Sequence, residues 1–214
     1  VRLGHDVQFV TPDGFRTVPM PTYPEIKLAL FARRAVGRVI DKFKPDAIHI
    51  ATEGPLGLAT RRNCMRRGIS FTTSFHTRFP EYIQARFGVP TAWSYAGLRW
   101  FHGPATAVMV ATRTLERDLT GRGFKNLRLW SRGVDTDLFK PEAKDWLDLP
   151  RPVFLYVGRV AIEKSVEEFL KLELPGSKLV VGDGPQLAEL RARYPHVHFT
   201  GPKFGPDLAR YYGA

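Results

Sequence analysis

Two segments in the last third of the chain each combine a short apolar run, a glycine turn and a helical pattern. Residues 153–157 are β-favouring or apolar and end at Gly158, and residues 178–181 repeat this pattern before Gly182 and Gly184. Such runs predict buried strands, and the apolar spacing after them predicts helices over 163–172 and 186–194. Strands alternating with helices predict a parallel sheet, in which ligands bind at the carboxyl ends of the strands.

Two basic side chains flank the loop after the first of these strands. Arg159 follows the glycine, and Lys164 lies at the start of the predicted helix. Fixed cations beside a helix amino terminus suit a diphosphate. Taken alone, the segment fits a surface turn with two solvated charges slightly better. The second glycine turn, at 182–185, favours the binding-site interpretation, because both turns should open on the same edge of the sheet.

Three motifs in matching order resemble a known family. They are Val157-Gly-Arg159 with Glu163-Lys164, Val181-Gly-Asp-Gly-Pro185 and Gly133-Val-Asp135-Thr-Asp-Leu-Phe139. The chain resembles retaining family-4 (group 1) glycosyltransferases of the GT-B fold, and within that family it is similar to bacterial glycolipid-type α-glycosyltransferases. The resemblance extends over nearly the whole chain. It implies an α/β protein with two Rossmann-like parallel-sheet domains facing across a cleft.

The resemblance also implies the domain limits. Residues 1–138 correspond to the acceptor-side domain without its first strand, 139–150 to the interdomain linker, and 151–214 to part of the nucleotide-sugar-binding domain. The chain looks truncated at both ends, and the acidic and Phe-Gly motifs of the resembling enzymes would follow Ala214. We therefore expect this chain by itself to bind donor weakly and to show no useful turnover.

The implied reaction moves a hexosyl group from a nucleotide-sugar to an acceptor with retention of anomeric configuration. The predicted catalytic residues are His76, Arg159 and Lys164. A lone histidine is usually structural, but the resemblance places His76 beside the transferred sugar and both cations on the donor diphosphate. The donor-binding set adds glycines and one carboxylate: Gly133, Asp135, Gly158, Gly182 and Gly184. Four weaker candidates for acceptor contacts are Glu53, Arg78, Glu81 and Tyr82.

The net charge of +11 is concentrated in the first part of the chain. Residues 1–135 contain 21 Lys and Arg against 10 Asp and Glu. This surplus indicates an acidic partner, such as an anionic membrane surface, a lipid acceptor or nucleic acid, although basic side chains also simply solvate helix faces. Four arginines of one predicted helix are the first candidates for membrane contact: Arg61, Arg62, Arg66 and Arg67. The resemblance favours lipid over nucleic acid.

Composition indicates the cellular compartment of the protein and which cofactors to expect. Cys64 is the only cysteine, which excludes an internal disulfide and suggests a reducing compartment. No apolar run is long enough to span a bilayer and no signal peptide opens the chain, so we expect a cytoplasmic protein, peripheral at the inner face of the membrane. The six histidines are scattered, and no metal or other cofactor is predicted.

Two alternatives remain open. A nucleotide-sugar epimerase of the same fold would use the same donors without an acceptor. A non-catalytic basic module would bind anionic lipid or nucleic acid. A dinucleotide-binding Rossmann domain is disfavoured, because the chain lacks a Gly-x-Gly-x-x-Gly motif with an acidic residue about 20 positions on.

Local patterns predict the remaining elements of the first domain. The predicted strands are 7–10, 46–51, 69–74, 107–111 and 127–130, and the predicted helices are 26–43, 55–67 and 113–122. Residues 15–24, rich in proline, predict an extended connection. Thr112 is a candidate helix cap. The aromatic residues between 82 and 102 favour core packing over a membrane or nucleic-acid surface.

Overall fold

The computed structural model describes residues 4–20, 23–76, 78–131, 133–141 and 146–213, without the side chains of residues 23–25, 82 and 85–87. Contacts between Cα atoms divide the chain into two compact units, Val1–Arg132 and Gly133–Ala214. These contacts group residues 133–138 with the second unit. The domain limits implied by the resemblance stay a prediction.

The first unit contains a hairpin and a parallel sheet. The hairpin pairs β1 (Thr17–Met20) with β2 (Tyr23–Ala29) in antiparallel orientation. The sheet strands are β3 (His49–Ile50), β4 (Thr72–Phe75), β5 (Ala107–Val110) and β6 (Leu127–Leu129), hydrogen-bonded in that order and all parallel. The helices described in this unit are α1 (Ala32–Phe43), α2 (Pro55–Arg67), α3 (Phe79–Phe87), α4 (Thr91–His102) and α5 (Arg113–Gly121).

Helix ends in the first unit follow local signals in the sequence. Helix α2 begins at Pro55, whose missing N–H is not needed in the first turn, and ends at Gly68 with a left-handed φ of 66°. Thr112 caps α5, since its hydroxyl oxygen accepts a hydrogen bond from the Leu115 N–H at 3.2 Å. The predicted bounds of α2 and the predicted cap of α5 are confirmed.

Aromatic and aliphatic side chains form the core beneath this sheet. Five of its buried members are Phe75, Tyr95, Phe101, Leu119 and Phe124. Cys64 is also fully buried among them, and burial raises the pKa of its thiol. The aromatic stretch 82–102 is divided between core and surface, because its two tryptophans, Trp93 and Trp100, are 74% and 59% exposed. Among the aromatic side chains of this stretch that the structure describes, the prediction of core packing holds for Tyr95 and Phe101 and is wrong for Trp93 and Trp100.

The second unit contains a three-stranded parallel sheet. Its strands are β7 (Val153–Val157), β8 (Ser177–Val181) and β9 (His198–Gly201), hydrogen-bonded in that order. Its described helices are α6 (Val166–Lys171), α7 (Leu187–Arg193) and α8 (Gly205–Tyr212). Val166, Leu170, Val180 and Leu190 are buried together in its core. The strand predicted at 153–157 is confirmed, and the helix predicted over 163–172 is divided into a 3₁₀ turn at Ile162–Lys164 and α6.

The amino-terminal part differs from the sequence prediction. Residues 7–10 lie in neither helix nor strand, and Val7 and Phe9 are exposed. A segment without a neighbouring strand cannot satisfy its backbone groups in a sheet. The segment 15–24, predicted as an extended connection, instead contains β1 and the first residues of β2, so it forms part of the hairpin. The helix predicted over 26–43 begins only at Ala32, because residues 23–29 pair with β1 and this pairing overrides the helical spacing of their apolar residues.

Candidate functional site

The two glycine turns of the second unit lie side by side at the carboxyl ends of β7 and β8. The Gly158 N–H donates to the Val181 carbonyl at 3.0 Å, and the Val160 N–H donates to the Asp183 carbonyl at 2.9 Å. These bonds continue the strand pairing beyond the sheet. Both turns therefore open on the same edge of the sheet, as predicted, because main-chain hydrogen bonds join them.

Close backbone approach explains why glycine is required in the second turn. A Cβ atom at Gly182 would lie 1.8 Å from the Gly158 carbonyl oxygen, and one at Gly184 would lie 2.3 Å from the Val160 carbonyl oxygen. Both glycines also have a positive φ, 151° and 158°, in a region that is almost confined to glycine. The turns fit together only because neither position carries a side chain.

The two predicted cations lie on the loop that this pairing holds. Arg159 is half-buried, and its carbonyl oxygen accepts a hydrogen bond from the Tyr156 hydroxyl at 2.8 Å. Lys164 is exposed at the end of the 3₁₀ turn, where its N–H donates to the Ala161 carbonyl at 2.9 Å. Helix α6 after the loop has six residues. The positive charge offered to a ligand here therefore comes mainly from the two side chains.

Gly133 and Asp135 belong to the second unit as well. One carboxylate oxygen of Asp135, Oδ1, accepts hydrogen bonds from the N–H groups of Asp137 and Leu138 at 3.1 and 3.2 Å. Asp135 therefore starts the short turn that follows, as the sequence indicates. Gly133 is exposed, with open space where a Cβ would be. Their donor-binding role stays a prediction.

His76 lies in the first unit, directly after β4, and is exposed at the carboxyl end of that strand. A second histidine, His49 on β3, is close enough for the charge of His76 to lower its pKa, although burial is the larger cause. The His49 ring nitrogens lie 2.8 Å from the hydroxyl oxygens of Thr72 and Ser74. Sequence reasoning missed His49, and the available signal was its place one strand before His76 on the predicted sheet.

The neighbouring imidazoles lead to a prediction for His49. We expect its pKa to lie below the ordinary 6.5, and a His76→Gln substitution to raise it without restoring 6.5, since burial persists. The fold then disfavours the protonated ring, so the free energy of unfolding falls as the pH drops below 6.5. An NMR pH titration of both proteins measures the two pKa values. A His49 pKa at or above 6.5 would contradict the geometry.

Glu53 lies in a buried hydrogen-bond network rather than an open surface. His102 is 1% exposed, its Nε2 is 3.2 Å from Glu53 Oε1, and its Nδ1 is 2.8 Å from Thr73 Oγ1. A carboxylate only accepts, so Nε2 carries the proton of that bond. The structure thus gives Glu53 a hydrogen-bond partner, His102, within the first unit. Its predicted contact with the sugar acceptor remains a separate hypothesis.

Substitution of Glu53 separates these two roles. We expect Glu53→Ala to lower the free energy of unfolding by about 1–3 kcal/mol, because a buried imidazole N–H loses its acceptor. Glu53→Gln keeps an oxygen that can accept this hydrogen bond, so it should lower the free energy of unfolding by less. Urea unfolding measures both variants. If Glu53→Ala were as stable as the wild type, the hydrogen bond to His102 would not stabilise the fold. Only the predicted contact with the sugar acceptor would then remain for Glu53.

Two other acceptor candidates lie in a charged cluster around Tyr95. The Tyr95 hydroxyl donates to Glu81 Oε1 at 2.7 Å, while the Arg122 guanidinium lies 4.0 Å from the Tyr95 ring centre. Arg78 is 3.9 Å from Glu81 and 3.6 Å from Asp118. Burial first, and then the bond to Glu81, raises the pKa of Tyr95 to about 12. These contacts join α3 to α4 and α5, and the side chain of Tyr82, the fourth candidate, lies outside the described residues.

The described ranges contain neither a cluster of metal ligands nor a membrane-spanning helix. There, no group of three or more His, Cys, Asp or Glu side chains could hold a metal ion. No helix in that part of the chain has the length and apolar character needed to cross a membrane.

Parallel sheets in both units, with paired glycine turns at the strand ends of the second, define an α/β chain of the GT-B glycosyltransferase class. Sucrose-phosphate synthase from Thermosynechococcus elongatus shares the fold, with a TM-score of 0.65, 20% identity, and coverage of 90% of this chain and 56% of that one. The chain belongs to Glycosyltransferase Family 4, whose family model matches residues 1–138. The predicted family is confirmed, and so is an α/β fold of the GT-B class with parallel sheets, while the cleft between the two domains stays a prediction.

Similarity to curated proteins extends over most of the chain. A GDP-mannose-dependent alpha-mannosyltransferase of Mycobacterium tuberculosis (strain CDC 1551 / Oshkosh) is 27% identical over 243 residues, covering 100% of this chain and 63% of the relative. The alpha-monoglucosyldiacylglycerol synthase of Acholeplasma laidlawii is 27% identical over 229 residues, covering 86% of this chain and 56% of the relative. The chain spans less than two thirds of either relative.

Proposed function

We propose that this chain forms the acceptor-side part and a portion of the donor-binding part of a retaining, nucleotide-sugar-dependent hexosyltransferase. The observation that carries the proposal is the pair of interlocked glycine turns at β7 and β8, with Arg159 and Lys164 on the first of them. The name of the mycobacterial relative, which specifies GDP-mannose, supports a nucleotide-sugar donor.

The proposed chemistry is stabilisation of the leaving group. Negative charge develops on the nucleoside diphosphate as its bond to the anomeric carbon breaks, and cations held where that charge grows lower the barrier. Arg159 offers a planar, permanently charged guanidinium suited to two phosphate oxygens, while Lys164 offers a compact point charge. The interlocked backbone holds the loop that carries them, so little reorganisation is needed during the reaction.

His76 is proposed to contact the transferred sugar rather than to act as a general base. Its support is its exposed position at the end of β4, together with the family membership of the chain. The proposal requires His76 and the two cations to act on one donor molecule. Because leaving-group stabilisation comes from side chains, we propose that no metal or other cofactor is needed. A chelator should then leave turnover unchanged.

A membrane lipid is the proposed acceptor, which would make the protein a cytoplasmic, peripheral enzyme at the inner face of the membrane. The name of the Acholeplasma relative, an alpha-monoglucosyldiacylglycerol synthase, supports this acceptor class. The basic surplus of residues 1–135 supports it independently. For the chain of 214 residues alone, we propose weak donor binding and little turnover, since both relatives extend well beyond the matched region.

Sugar transfer by a protein that contains this sequence tests the proposal. The protein is offered a panel of nucleotide-sugars with and without vesicles of anionic lipid that contain diacylglycerol. The expected result is release of nucleoside diphosphate that depends on acceptor, and a product with the donor's anomeric configuration. Interconversion of the donor without any acceptor would instead identify an epimerase. Binding of anionic vesicles or oligonucleotides without any donor turnover would identify a non-catalytic module.

A further inference from the structure

Tyr156 on β7 connects the core of the second unit to the loop that carries Arg159 and Lys164. This loop, residues 158–164, is called the cation loop below. The Tyr156 ring packs against the buried core cluster and stacks on Phe169 of α6, with ring centres 6.4 Å apart. Its hydroxyl donates a hydrogen bond to the Arg159 carbonyl at 2.8 Å. Tyr156 therefore ties the cation loop directly to the core.

The peptide unit between Arg159 and Val160 is held at both of its ends. The Tyr156 hydroxyl bonds to its carbonyl oxygen, and its N–H group donates to the Asp183 carbonyl at 2.9 Å. A peptide unit is planar, so two hydrogen bonds at opposite ends fix its orientation. The Val160 side chain is also fully buried. Rotation of this peptide would break both bonds and disturb the packing of Val160.

The paired glycine turns fix the backbone on the other side of Arg159. The Gly158 N–H donates to the Val181 carbonyl at 3.0 Å, and the Gly158 carbonyl lies against Gly182. The Arg159 Cα atom thus lies between two fixed peptide units. Its Cα–Cβ bond therefore leaves the backbone in a fixed direction, which limits where the guanidinium can reach.

Two features suit the Tyr156 hydroxyl to this contact. Gly158 leaves room for it, because a Cβ atom there would lie 3.1 Å from the hydroxyl oxygen. Burial first, and then the negative charge of Glu163, raises the pKa of Tyr156. An ordinary tyrosine loses its proton at about pH 10, so this hydroxyl remains a donor throughout the neutral range.

We propose that Tyr156 is a positioning residue that fixes the Arg159–Val160 peptide and thereby holds the Arg159 guanidinium where the leaving diphosphate gains its charge. This role rests on the proposed function, and Tyr156 is not among the site residues that the sequence predicts. Its importance follows from geometry, because a misplacement of about 1 Å in a reacting site can lower a rate by roughly 100-fold.

A double-mutant cycle tests whether Tyr156 acts through Arg159. Tyr156→Phe removes one hydroxyl group and keeps the packed ring. It should lower kcat for sugar transfer by about tenfold, less than a full displacement would, because the bond to Asp183 remains. In a protein that already carries Arg159→Ala, the same substitution should lower kcat by less than about twofold, because the guanidinium that it positions is absent.

These rates are measured in a protein that contains this sequence, at saturating acceptor, with the most active donor of the nucleotide-sugar panel. The KM for this donor should rise by a smaller factor than kcat falls, since the contact matters most as the diphosphate leaves. A tyrosine that only stabilised the fold would change neither constant once the folded fraction is taken into account.

Tyr194 provides the matched control for this substitution. It is another half-buried tyrosine packed against the same core, and its hydroxyl donates to Glu167 Oε1 at 3.2 Å instead of to the cation loop. Tyr194→Phe makes the same chemical change, and it should leave kcat within about twofold of wild type, because it shares no partner with Arg159.

Hydrogen exchange measures the support of the peptide without any donor. The Val160 N–H should exchange about 2- to 10-fold faster in Tyr156→Phe than in wild type, the effect expected from the loss of one hydrogen bond. The N–H groups within β8 should keep their rates, and Tyr194→Phe should leave the Val160 rate unchanged.

Three results would overturn the positioning role of Tyr156. They are an unchanged Val160 exchange rate, an equal rise at Val160 and within β8, and kcat losses that multiply in the double variant. Wild-type protein that transfers no sugar from any donor would contradict the proposed function instead. The Val160 exchange rate alone would then decide whether Tyr156 fixes the peptide.

Discussion

Replacing Lys164 with alanine should lower kcat for sugar transfer by roughly 100- to 1,000-fold, the loss seen when one donor to a developing anion is removed. Lys164 is exposed at the end of the loop that the paired glycine turns hold in place. Its charge should matter most when the diphosphate leaves, so kcat should fall at least as much as the KM for donor rises. Steady-state kinetics at saturating acceptor measure both constants.

Lys171 provides the matched control for this substitution. It is a lysine on α6, seven positions further along, and it pairs with Glu168 at 2.9 Å on the surface. Lys171→Ala should leave kcat within about twofold of wild type, because an exposed ion pair contributes little. Lys164→Arg should recover part of the lost rate by restoring the charge. An unchanged kcat in Lys164→Ala would remove this residue from the reaction.

Replacing Gly182 with alanine should lower the free energy of unfolding of the second unit by about 2–6 kcal/mol. The new methyl group would lie 1.8 Å from the Gly158 carbonyl oxygen, and such overpacking costs about 1–3 kcal/mol. The strained φ of 151° adds a similar cost of about 1–3 kcal/mol for any residue other than glycine. Urea unfolding followed by circular dichroism measures the change.

Gly97 provides the control, because it lies exposed in α4 with open space where a Cβ would be. Gly97→Ala should stabilise the first unit by about 0.5–1 kcal/mol, since alanine is the better helix former. The two substitutions add the same methyl group and should change stability in opposite directions. A Gly182→Ala variant within 0.5 kcal/mol of wild type, an interval about the size of ordinary surface effects, would show that the turns are not locked together.

Local sequence signals predicted part of the candidate site well. The glycine turns, the cations between them and the strands that precede them lie within 35 consecutive residues, 153–187, so short-range patterns describe them. The side-chain network around Tyr95 was not predictable in this way. Arg78 and Glu81 were predicted only as weaker candidates for contacts with the sugar acceptor, yet they contact Asp118 and Tyr95 from two other helices.

The basic helix α2 shows the same limit. Its arginines were predicted as one cluster for membrane contact. In the fold, Arg61 donates hydrogen bonds to the carbonyl oxygens of Trp100 and Phe101 at 2.9 Å, where α4 ends, which suits a cation at a helix carboxyl terminus. Arg66 and Arg67 instead line a groove between α1 and α2 together with three arginines from α1. Helix spacing alone does not show which helix lies opposite.

What the sequence determined by itself is the alternation of strands and helices, the glycine turns and the family, because each depends on residues close together in the chain. The tertiary structure decided which segments and side chains lie together. Residues 23–29 pair with β1, Glu53 bonds to His102, and arginines of α2 lie opposite α1. The physical reason is that packing and charge pairing act between residues brought together only by folding. The periodicity of one segment carries no information about the surface that covers it.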